Sequence, residues 1–570
     1  MNNRFTINYI IFLALSFLII FGFQYLFNNK EEKDATNQPA ATEQTAKTTP
    51  ETTKTAPPVK SESAFDDSKN TYEELIKEGS SGTIINVNSP LFDAKIDTLG
   101  GRVTEWKLKN YKQTTEKDSP LVNLINGKNQ IVSGVKVKNN GIPYLIPYQY
   151  SGRSDIEIDD QNKGISLKYV NSSGLEITKT IEFDAKNYLL DESLTLSNNS
   201  GATQEYIINF QTFGSIEQRG RSESSNELFV FVNNEVEKVS KPPKQPEQLT
   251  GQINWFGFCD KYFLTAIIPE IGGNTSVSVN GVENNGLVNA EFAYPKDSVN
   301  TGASKTTKWK TYLGPKEPAN LNMVGYGLEQ AINYGWVGFL AKIALKFLKL
   351  LNSVFHNYGV SIIAITVILR VLFLPLTLKS MRSMKEMQAR MAEVKPKIDA
   401  LKEKYKDDKT KQNTELMKLY SSHGINPLSS LGGCFPLLLQ LPVFIALYDV
   451  LLYSIDLRQT PFLWIKDLAE PEHLFSIPIF GDISLPFRIL PLAMGVSWFI
   501  SQKMTPMSAA PASESMELQM KMMQFMPIIF TVMFWGLPSG LILYWTVSNI
   551  LSIGQQIYIN RTVHVGKGGA

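Results

Sequence analysis

The sequence has few of the residues from which metal centres, disulfide frameworks and hydrolytic sites are built. Its 570 residues include 2 cysteines and 4 histidines, and the histidines lack the spacing of a ligand set. The patterns GxxxxGKS, GxxxxGKT, GxSxG and HExxH, which mark phosphate-binding loops, serine nucleophiles and zinc sites, do not occur. The sequence therefore predicts no enzyme, no metal site and no cofactor.

Charge is also scarce, and it is distributed unevenly. The formal net charge at pH 7 is only +2, which gives no sign of a nucleic-acid-binding protein. Residues 5–27 and 522–560 contain no charged residue, and only 15 of the 137 residues from 434 to 570 are charged. Although 43% of the chain is hydrophobic, as in many soluble proteins, these segments predict several membrane spans.

The segment 1–27 is predicted to be an N-terminal transmembrane anchor. Its uncharged residues from 5 to 27 would form a helix about 34 Å long, enough to cross an apolar core of about 30 Å. The alternative is a cleaved signal peptide. The apolar run is longer than such peptides have, and it ends at Asn28 and Asn29 rather than at small residues.

The next two segments, 28–80 and 81–334, differ sharply in composition. The first is rich in Thr, Lys, Glu, Ala and Pro and is predicted to be a disordered linker. The second contains many short β-branched or aromatic runs separated by Asn and Gly, and residues 176–183 alternate apolar with polar side chains. This pattern predicts a large extracytoplasmic domain folded as an antiparallel β-sandwich.

Residues 335–351 are predicted to form an amphipathic helix in the membrane interface. Lys342, Lys346 and Lys349 recur at steps of four and three, so they share one helical face, and the other residues are mainly apolar. The alternative is a core helix of the β-sandwich, but the apolar segment that follows favours the interface.

The rest of the chain predicts five further spans and a cytoplasmic hairpin. The segments are a second span at 352–378, a basic helical hairpin of net charge +5 at 379–432, spans three to six at 433–560 and a tail at 561–570. Residues 522–560 are too long for one span and contain Pro538 near the middle, so we expect two short spans. The basic hairpin belongs in the cytoplasm, which places both termini inside and the β-domain outside.

Arg370 is the most informative residue, because it lies inside an otherwise apolar span. An arginine there costs at least about 2.5–3.5 kcal/mol, so it usually faces protein or water. Arg370 and Gln440 would lie about 9 and 10 Å from the cytoplasmic ends of their spans, with Thr366 one turn from Arg370. These residues predict a hydrated pocket open to the cytoplasm.

Snorkelling of the Arg370 side chain to the lipid headgroups is the alternative. An ion pair with Asp449 is disfavoured, since Asp449 would lie about 15 Å further across the membrane.

Three segments resemble the YidC family of membrane protein insertases. They are 428–447, which contains GGCFPLLLQLPVFIALY, 366–377, which reads TVILRVLFLPLT, and 525–549, with the elements FMP and LPSGLILYW. The resemblance covers about 335–560. The large outer domain, the leading anchor and segment 259–269 resemble the Gram-negative form. The resemblance implies a mixed architecture, with a polytopic α-helical membrane domain of six spans and a large antiparallel β-sandwich.

The resemblance also implies catalysis of protein insertion through a hydrophilic groove, without a covalent step or nucleotide hydrolysis. The substrate-binding groove would be lined by residues from three spans, namely Arg370, Thr366, Gln440, Leu441, Phe444, Tyr544 and Trp545. Asp449 departs from the family pattern. The β-domain resembles sugar-binding sandwiches in fold, which implies no sugar-related function.

The expected partners are nascent membrane proteins, the Sec translocon and the lipid bilayer of the bacterial inner membrane, with no specific nucleic-acid sequence. The ribosome and the signal recognition pathway are further candidates. A small-anion transporter with an extracytoplasmic sensor domain is an alternative, but it would need polar groups across the whole bilayer and often internal repeats. A membrane-anchored enzyme is disfavoured, because the β-domain shows no paired acids and no metal cluster in its sequence.

Overall fold

The chain has a β-rich half followed by a helical half. The computed structural model describes residues 82–562 apart from 126–130, 140, 160–162, 217–225, 282–285, 407, 424–434, 481–482 and 505–513. The predicted anchor at 1–27, the linker at 28–80 and most of the tail at 561–570 lie outside the described residues.

Nineteen strands are described in the β-rich half. In chain order they are β1 (Ile84–Asn88), β2 (Phe92–Asp97), β3 (Arg102–Lys112), β4 (Leu121–Asn123), β5 (Ile131–Lys138), β6 (Asp155–Glu157), β7 (Gly164–Val170), β8 (Leu175–Asp184), β9 (Leu189–Asn198), β10 (Gln204–Ser215), β11 (Glu227–Val232), β12 (Glu235–Val239), β13 (Glu247–Gly251), β14 (Ile253–Cys259), β15 (Phe263–Pro269), β16 (Thr275–Gly281), β17 (Leu287–Ala293), β18 (Asp297–Val299) and β19 (Ser304–Pro315).

These strands form two large sheets. In the described residues the first sheet has 11 strands in the order β13-β16-β17-β10-β5-β3-β2-β1-β6, with β18 on β10 and β4 on β3. The second has 8 strands in the order β12-β11-β14-β15-β19-β9-β8-β7. Neighbouring strands pair antiparallel apart from β1 and β6, which run parallel. The alternation that marked residues 176–183 is seen in β8, whose side chains are buried at every second position.

Aromatic rings from both sheets meet in the core of the β-rich half. The ring centroids of Phe210 in β10 and Trp309 in β19 are 4.6 Å apart. Those of Phe256 in β14 and Phe292 in β17 are 6.1 Å apart. Because β10 and β17 belong to one sheet and β14 and β19 to the other, these large rings bury apolar area between the sheets.

A charged pair lies within this apolar core. Lys179 Nζ lies 3.2 Å from Glu192 Oε1, and both side chains are fully buried. Lys179 also donates to Gly101 O, while Glu192 Oε2 accepts from Trp309 Nε1 at 2.8 Å and from Thr311 Oγ1 at 2.6 Å. Buried charges persist where such hydrogen bonds offset their desolvation.

The helical half contains eight described α-helices. They are α1 (Pro318–Val324), α2 (Gly338–Phe355), α3 (Tyr358–Lys404), α4 (Lys409–Ser422), α5 (Phe435–Tyr453), α6 (Ile489–Met504), α7 (Glu514–Met533) and α8 (Ser539–Thr562), with a two-stranded hairpin of β20 (Phe475–Phe480) and β21 (Ile483–Phe487) between α5 and α6. Helix α3 runs without interruption from the predicted second span into the predicted hairpin.

Helix α2 corresponds to the segment predicted to be amphipathic. Ala341, Leu345 and Leu348 are buried, whereas Lys342 and Lys346 are exposed. The helix is observed, and its location in a membrane interface stays a prediction.

The C-terminal part of α3 packs against α4. Val394, Ile398, Leu416 and Tyr420 form a buried apolar cluster between the two helices. The turn between them, after Lys404, brings the chain back along α3.

Helices α3 and α8 run in the same direction along a shared seam. Gln555 Nε2 donates to Thr377 Oγ1 at 2.8 Å, and further along both helices Lys385 Nζ donates to Ile559 O at 3.1 Å. The contacts advance with residue number on both helices, which makes the pair parallel.

One described helix, α3, is long and apolar enough to cross a membrane by length and composition. The apolar helical stretches Gln440–Tyr453 and Gln524–Gly536 are shorter. The count of six spans therefore stays a prediction.

Candidate functional site

The Arg370 guanidinium lies where α3, α5 and α8 meet. Its Nε donates to Ser548 Oγ at 3.1 Å, and its Nη2 donates to Ser548 Oγ and, at 3.4 Å, to Gln440 Oε1. In the described part of the chain its partners are thus uncharged. The side chain is half-buried, so the cation is held by neutral dipoles and still reaches the surface of the helical half.

Gln440 connects this arginine to α8. Its Nε2 donates to Tyr544 Oη at 3.0 Å and to Ser548 Oγ at 3.0 Å, while its Oε1 faces Arg370. Four polar side chains on three helices therefore form one hydrogen-bonded network. We refer to Arg370, Gln440, Tyr544 and Ser548 as the polar cluster.

The local sequence explains how α8 contributes two members. Tyr544 and Ser548 are four residues apart, so they lie one above the other on the same helical face. They are 2% and 1% exposed, which leaves Arg370 and Gln440 as the accessible part of the polar cluster.

Thr366 lies one turn before Arg370 but does not join the polar cluster. It is buried, and its hydroxyl donates to Ile362 O of its own helix at 2.6 Å. The threonine therefore contributes packing beside the arginine, and its polar atom is satisfied locally.

Phe444 and Trp545 lie in an aromatic cluster rather than in the polar cluster. Their ring centroids are 4.8 Å apart and nearly perpendicular. Trp545 also packs against Trp498 at 5.6 Å and Phe534 at 5.2 Å, and Phe534 packs against Phe530 at 5.2 Å. We refer to Phe444, Trp498, Phe530, Phe534 and Trp545 as the aromatic cluster.

The adjacent residues Tyr544 and Trp545 therefore lie in different clusters. The tyrosine hydroxyl accepts from Gln440 in the polar cluster, whereas the tryptophan ring packs among Phe444 and Phe534. Leu441 is half-buried next to Gln440. Of the seven residues singled out in the sequence, Arg370, Gln440 and Tyr544 thus belong to the polar cluster and Phe444 and Trp545 to the aromatic cluster, whereas Thr366 and Leu441 belong to neither.

Sequence reasoning missed Ser548, Trp498, Phe530 and Phe534. Ser548 carried one local signal, its four-residue spacing from Tyr544 on a helix. The three aromatic residues lie in apolar runs where any large side chain is expected, so their meeting around Trp545 depends on helix packing.

Asp449 lies apart from Arg370. A Cβ atom placed on Gly335 would be 3.7 Å from Asp449 Oδ2, so the carboxylate adjoins the chain just before α2. The φ of Gly335 is +64°, in the left-handed region that glycine adopts without strain. Among the described residues the side-chain hydrogen bonds of Arg370 go to Ser548 and Gln440, and its separation from Asp449 across the membrane stays a prediction.

No group of three or more His, Cys, Asp or Glu side chains among the described residues could hold a metal ion. The polar cluster itself offers an arginine, an amide and two hydroxyls, which are groups that bind polar or anionic segments by hydrogen bonds.

Comparisons with known proteins cover almost all of the described chain. Residues 350–566 match the family described as 60Kd inner membrane protein, and residues 84–346 match the family described as YidC periplasmic domain. A membrane protein insertase YidC from Geobacter metallireducens is 34% identical over 84% of this chain and 86% of its own length. One from Geotalea uraniireducens is 34% identical over 97% of this chain and 99% of its own length.

Structural similarity to solved proteins is weak. A galactose mutarotase related enzyme from Lactobacillus acidophilus covers 40% of this chain and 97% of its own, with a TM-score of 0.31 and 7% identity. These values support no conclusion about substrate or activity.

Proposed function

The chain belongs to the YidC family of membrane protein insertases, and from this premise we propose that it inserts newly made proteins into the bacterial inner membrane and assists their folding. The sequence relatives support insertion, and none of those reported supports the alternative of a small-anion transporter. The β-rich half corresponds to the periplasmic domain of the family, and the helical half corresponds to its membrane domain.

The observation that carries the mechanism is the polar cluster. Arg370 reaches the surface of the helical half while Ser548 and Gln440 hold its guanidinium. A cation that is hydrogen-bonded only to neutral groups keeps its charge available for a polar or acidic segment. It would lower the free energy of carrying a short hydrophilic tail into the bilayer, where an unsatisfied polar group costs several kcal/mol, about 2–7 per group.

The apolar part of the substrate needs a second surface. Helix α7 exposes a row of large apolar side chains, namely Phe525, Ile528, Ile529 and Val532. Their spacing of three and four residues places them on one helical face. We assign this face to the entering transmembrane helix, while the polar cluster receives the adjoining tail. The aromatic cluster, which contains Phe530 of α7 and Trp545 of α8, would support both surfaces.

Six spans with both termini in the cytoplasm account best for this arrangement. Helices α3 and α8, the proposed second and sixth spans, run parallel along the contacts of Thr377 with Gln555 and of Lys385 with Ile559. Two spans separated by three others must run in the same direction. A single span at 522–560 would instead run opposite to α3. The two sheets of the β-domain would then lie in the periplasm as a sandwich.

Insertion by this route involves no covalent step, so the protein is proposed to act as a non-enzymatic insertase and chaperone. Larger substrates would arrive with the Sec translocon. The basic segment formed by the inner part of α3 and by α4 would meet substrates on the cytoplasmic side, where the ribosome and the signal recognition pathway deliver them. The lipid bilayer supplies the final environment of the inserted helix.

Site-specific photocrosslinking tests the proposed route. A photoreactive amino acid at Leu441, beside Gln440, should crosslink to an arrested nascent membrane protein. The matched control is the same amino acid at Leu350, which is exposed on α2 and belongs to neither the polar cluster nor the aromatic cluster. Equal crosslinking from the two positions would contradict a specific substrate surface.

A further inference from the structure

A cavity of about 1030 Å³ lies between the β-domain and the loop that follows α5. One wall comes from residues 113–116 after β3 and from the turn at 260–263 between β14 and β15. The other wall comes from the loop residues 458–473. We propose that this cavity receives the hydrophilic tail of a substrate, as an extended polypeptide, when the tail emerges on the periplasmic side. The inference rests on the proposed insertase function and adds a second binding site to it.

The two walls are fixed to each other by directional contacts. Arg458 Nη2 donates to Lys112 O at 2.6 Å and to Gln113 O at 3.2 Å, and Gln459 Nε2 donates to Lys112 O at 2.9 Å. Lys261 Nζ lies 2.8 Å from Glu470 Oε1. These contacts join the loop to the β-domain at two places, at residues 112–113 and at Lys261. The two walls of the cavity are therefore held in a fixed position relative to each other.

The cavity adjoins the outer end of the helix that carries Ser548. Ser539 N and Gly540 N, at the start of α8, donate to Glu470 O and Leu468 O at 2.9 Å each. Glu470 thus touches α8 with its backbone and the β-domain with its side chain. Nine residues separate Ser539 from Ser548, about 14 Å of helix. About four extended residues of a tail would span that distance.

The charges of the walls are mostly satisfied within the protein. Asp260 accepts from the backbone N–H groups of Tyr262 and Phe263, and Asp467 accepts from that of Ala469. Burial raises the pKa of both aspartates above the usual value. Because these charges are paired within the protein, the cavity does not select strongly for ions of one sign. Acidic residues also outnumber basic residues in its lining, and this disfavours a phosphate or another small anion.

The remaining groups suit a polypeptide. Trp464 is 47% exposed, and its Nε1 donates to Glu472, which fixes the ring plane in the wall. Tyr262 is buried, and its hydroxyl has no hydrogen-bond partner among the described residues. Glu116 and Lys466 add one exposed charge of each sign. An aromatic surface beside mixed donors and acceptors binds peptide backbone and varied side chains without a strict sequence requirement.

The test uses the full-length protein in membrane vesicles with a substrate that has a neutral, hydrophilic periplasmic tail. A photoreactive amino acid replaces Trp464, and in a second variant it replaces Glu116 on the opposite wall. The control variant carries it at Phe339, which is 77% exposed on α2 and does not line the cavity. Protease added outside measures arrival of the tail in every sample.

We expect the tail to crosslink from positions 464 and 116 at least about fivefold more than from 339, and soluble peptide of the tail sequence, enclosed in the vesicles when they are formed, to compete. If protease shows that the tail has arrived while neither wall position exceeds the control, the cavity proposal is overturned and the insertase function stands. Competition by a soluble oligosaccharide but not by the peptide would overturn the peptide assignment. If unmodified protein inserts no more tail than empty vesicles, the proposed function fails together with this inference.

Discussion

Arg370 Nε and Ser548 Oγ are 3.1 Å apart across the contact of α3 with α8, although 178 residues separate them in the sequence. Ser548 also accepts from Gln440, so one small hydroxyl holds the cation and the amide in place. The serine is 1% exposed and would not itself meet a substrate. Its role in the proposed mechanism is to position the groups that do.

The first prediction concerns Ser548→Ala. Loss of the acceptor should let Arg370 leave its position and should lower insertion of a substrate with a hydrophilic tail. Hydrogen bonds between membrane helices contribute about 0.6–1.7 kcal/mol, which corresponds to about threefold to twentyfold. Protease protection of the inserted tail measures the effect. Ser552→Ala is the matched control, because Ser552 lies one turn later and donates only to Ser548 O of its own helix. An equal decrease in both variants would contradict the positioning role.

The second prediction concerns the aromatic cluster. Trp545→Ala should remove ring contacts with Phe444, Trp498 and Phe534 and should lower the stability of the helical half by about 3–5 kcal/mol, as for large-to-small changes in packed cores. Trp545→Phe should retain most of the stability. Thermal unfolding in detergent measures both. Trp464→Ala removes a half-exposed tryptophan as the control, and the account fails here if it destabilises as much as Trp545→Ala.

The third prediction concerns the buried pair in the β-domain. Lys179→Met leaves the Glu192 carboxylate without its cation in an apolar core, which should cost about 3–5 kcal/mol. Adding Glu192→Gln removes the orphaned charge but keeps an acceptor for Trp309 Nε1 and Thr311 Oγ1. The double variant should therefore unfold at a higher temperature than Lys179→Met. A double variant that is less stable than the single variant would show that charge burial is not the main penalty.

The fourth prediction concerns the reactivity of Cys259. The thiol is buried, and burial raises its pKa above the usual value even though Lys316 Nζ donates to its Sγ at 3.3 Å. A raised pKa means a smaller thiolate fraction at any given pH, and the thiolate is the reactive form. In a Cys434→Ser background, iodoacetamide at pH 8.5 should label the folded protein far more slowly than the unfolded protein. Equal rates would contradict both the burial and the pKa shift.

Much of this architecture could be predicted from local sequence. Alternation in 176–183 corresponds to the buried face of β8, and Pro538 lies between α7 and α8. The isolated charge of Arg370 in an apolar helix and the polar residue Gln440 in another were sufficient to indicate that the two belong together. Hydrophobic periodicity and local composition predict these features because both depend only on residues that are close together in the chain.

The remaining features depend on contacts that local patterns do not contain. The sequence suggested separate elements at 352–378 and 379–432, whereas α3 crosses that boundary without a break and ends only at Lys404, although it contains Pro375 and Pro396. The importance of Ser548 depends on the packing of α3 and α5 against α8, because its hydroxyl accepts hydrogen bonds from Arg370 and Gln440. Trp498 lies in α6, whereas Phe530 and Phe534 lie at the end of α7 and just after it, and the contact of 458–473 with the β-domain joins segments about 200–350 residues apart.

The central claim is that the charge of Arg370 acts on the hydrophilic tail of the substrate. The most direct measurement is insertion of two matched substrates, one with an acidic tail and one with a neutral tail, by the unmodified protein, Arg370→Lys and Arg370→Glu. The account predicts that Arg370→Lys keeps much of the insertion, since it keeps the charge but not the forked geometry. Arg370→Glu should reduce insertion of the acidic tail by at least about tenfold, equivalent to about 1.4 kcal/mol, and should affect the neutral tail less. Equal insertion of both substrates by all three proteins would contradict the claim.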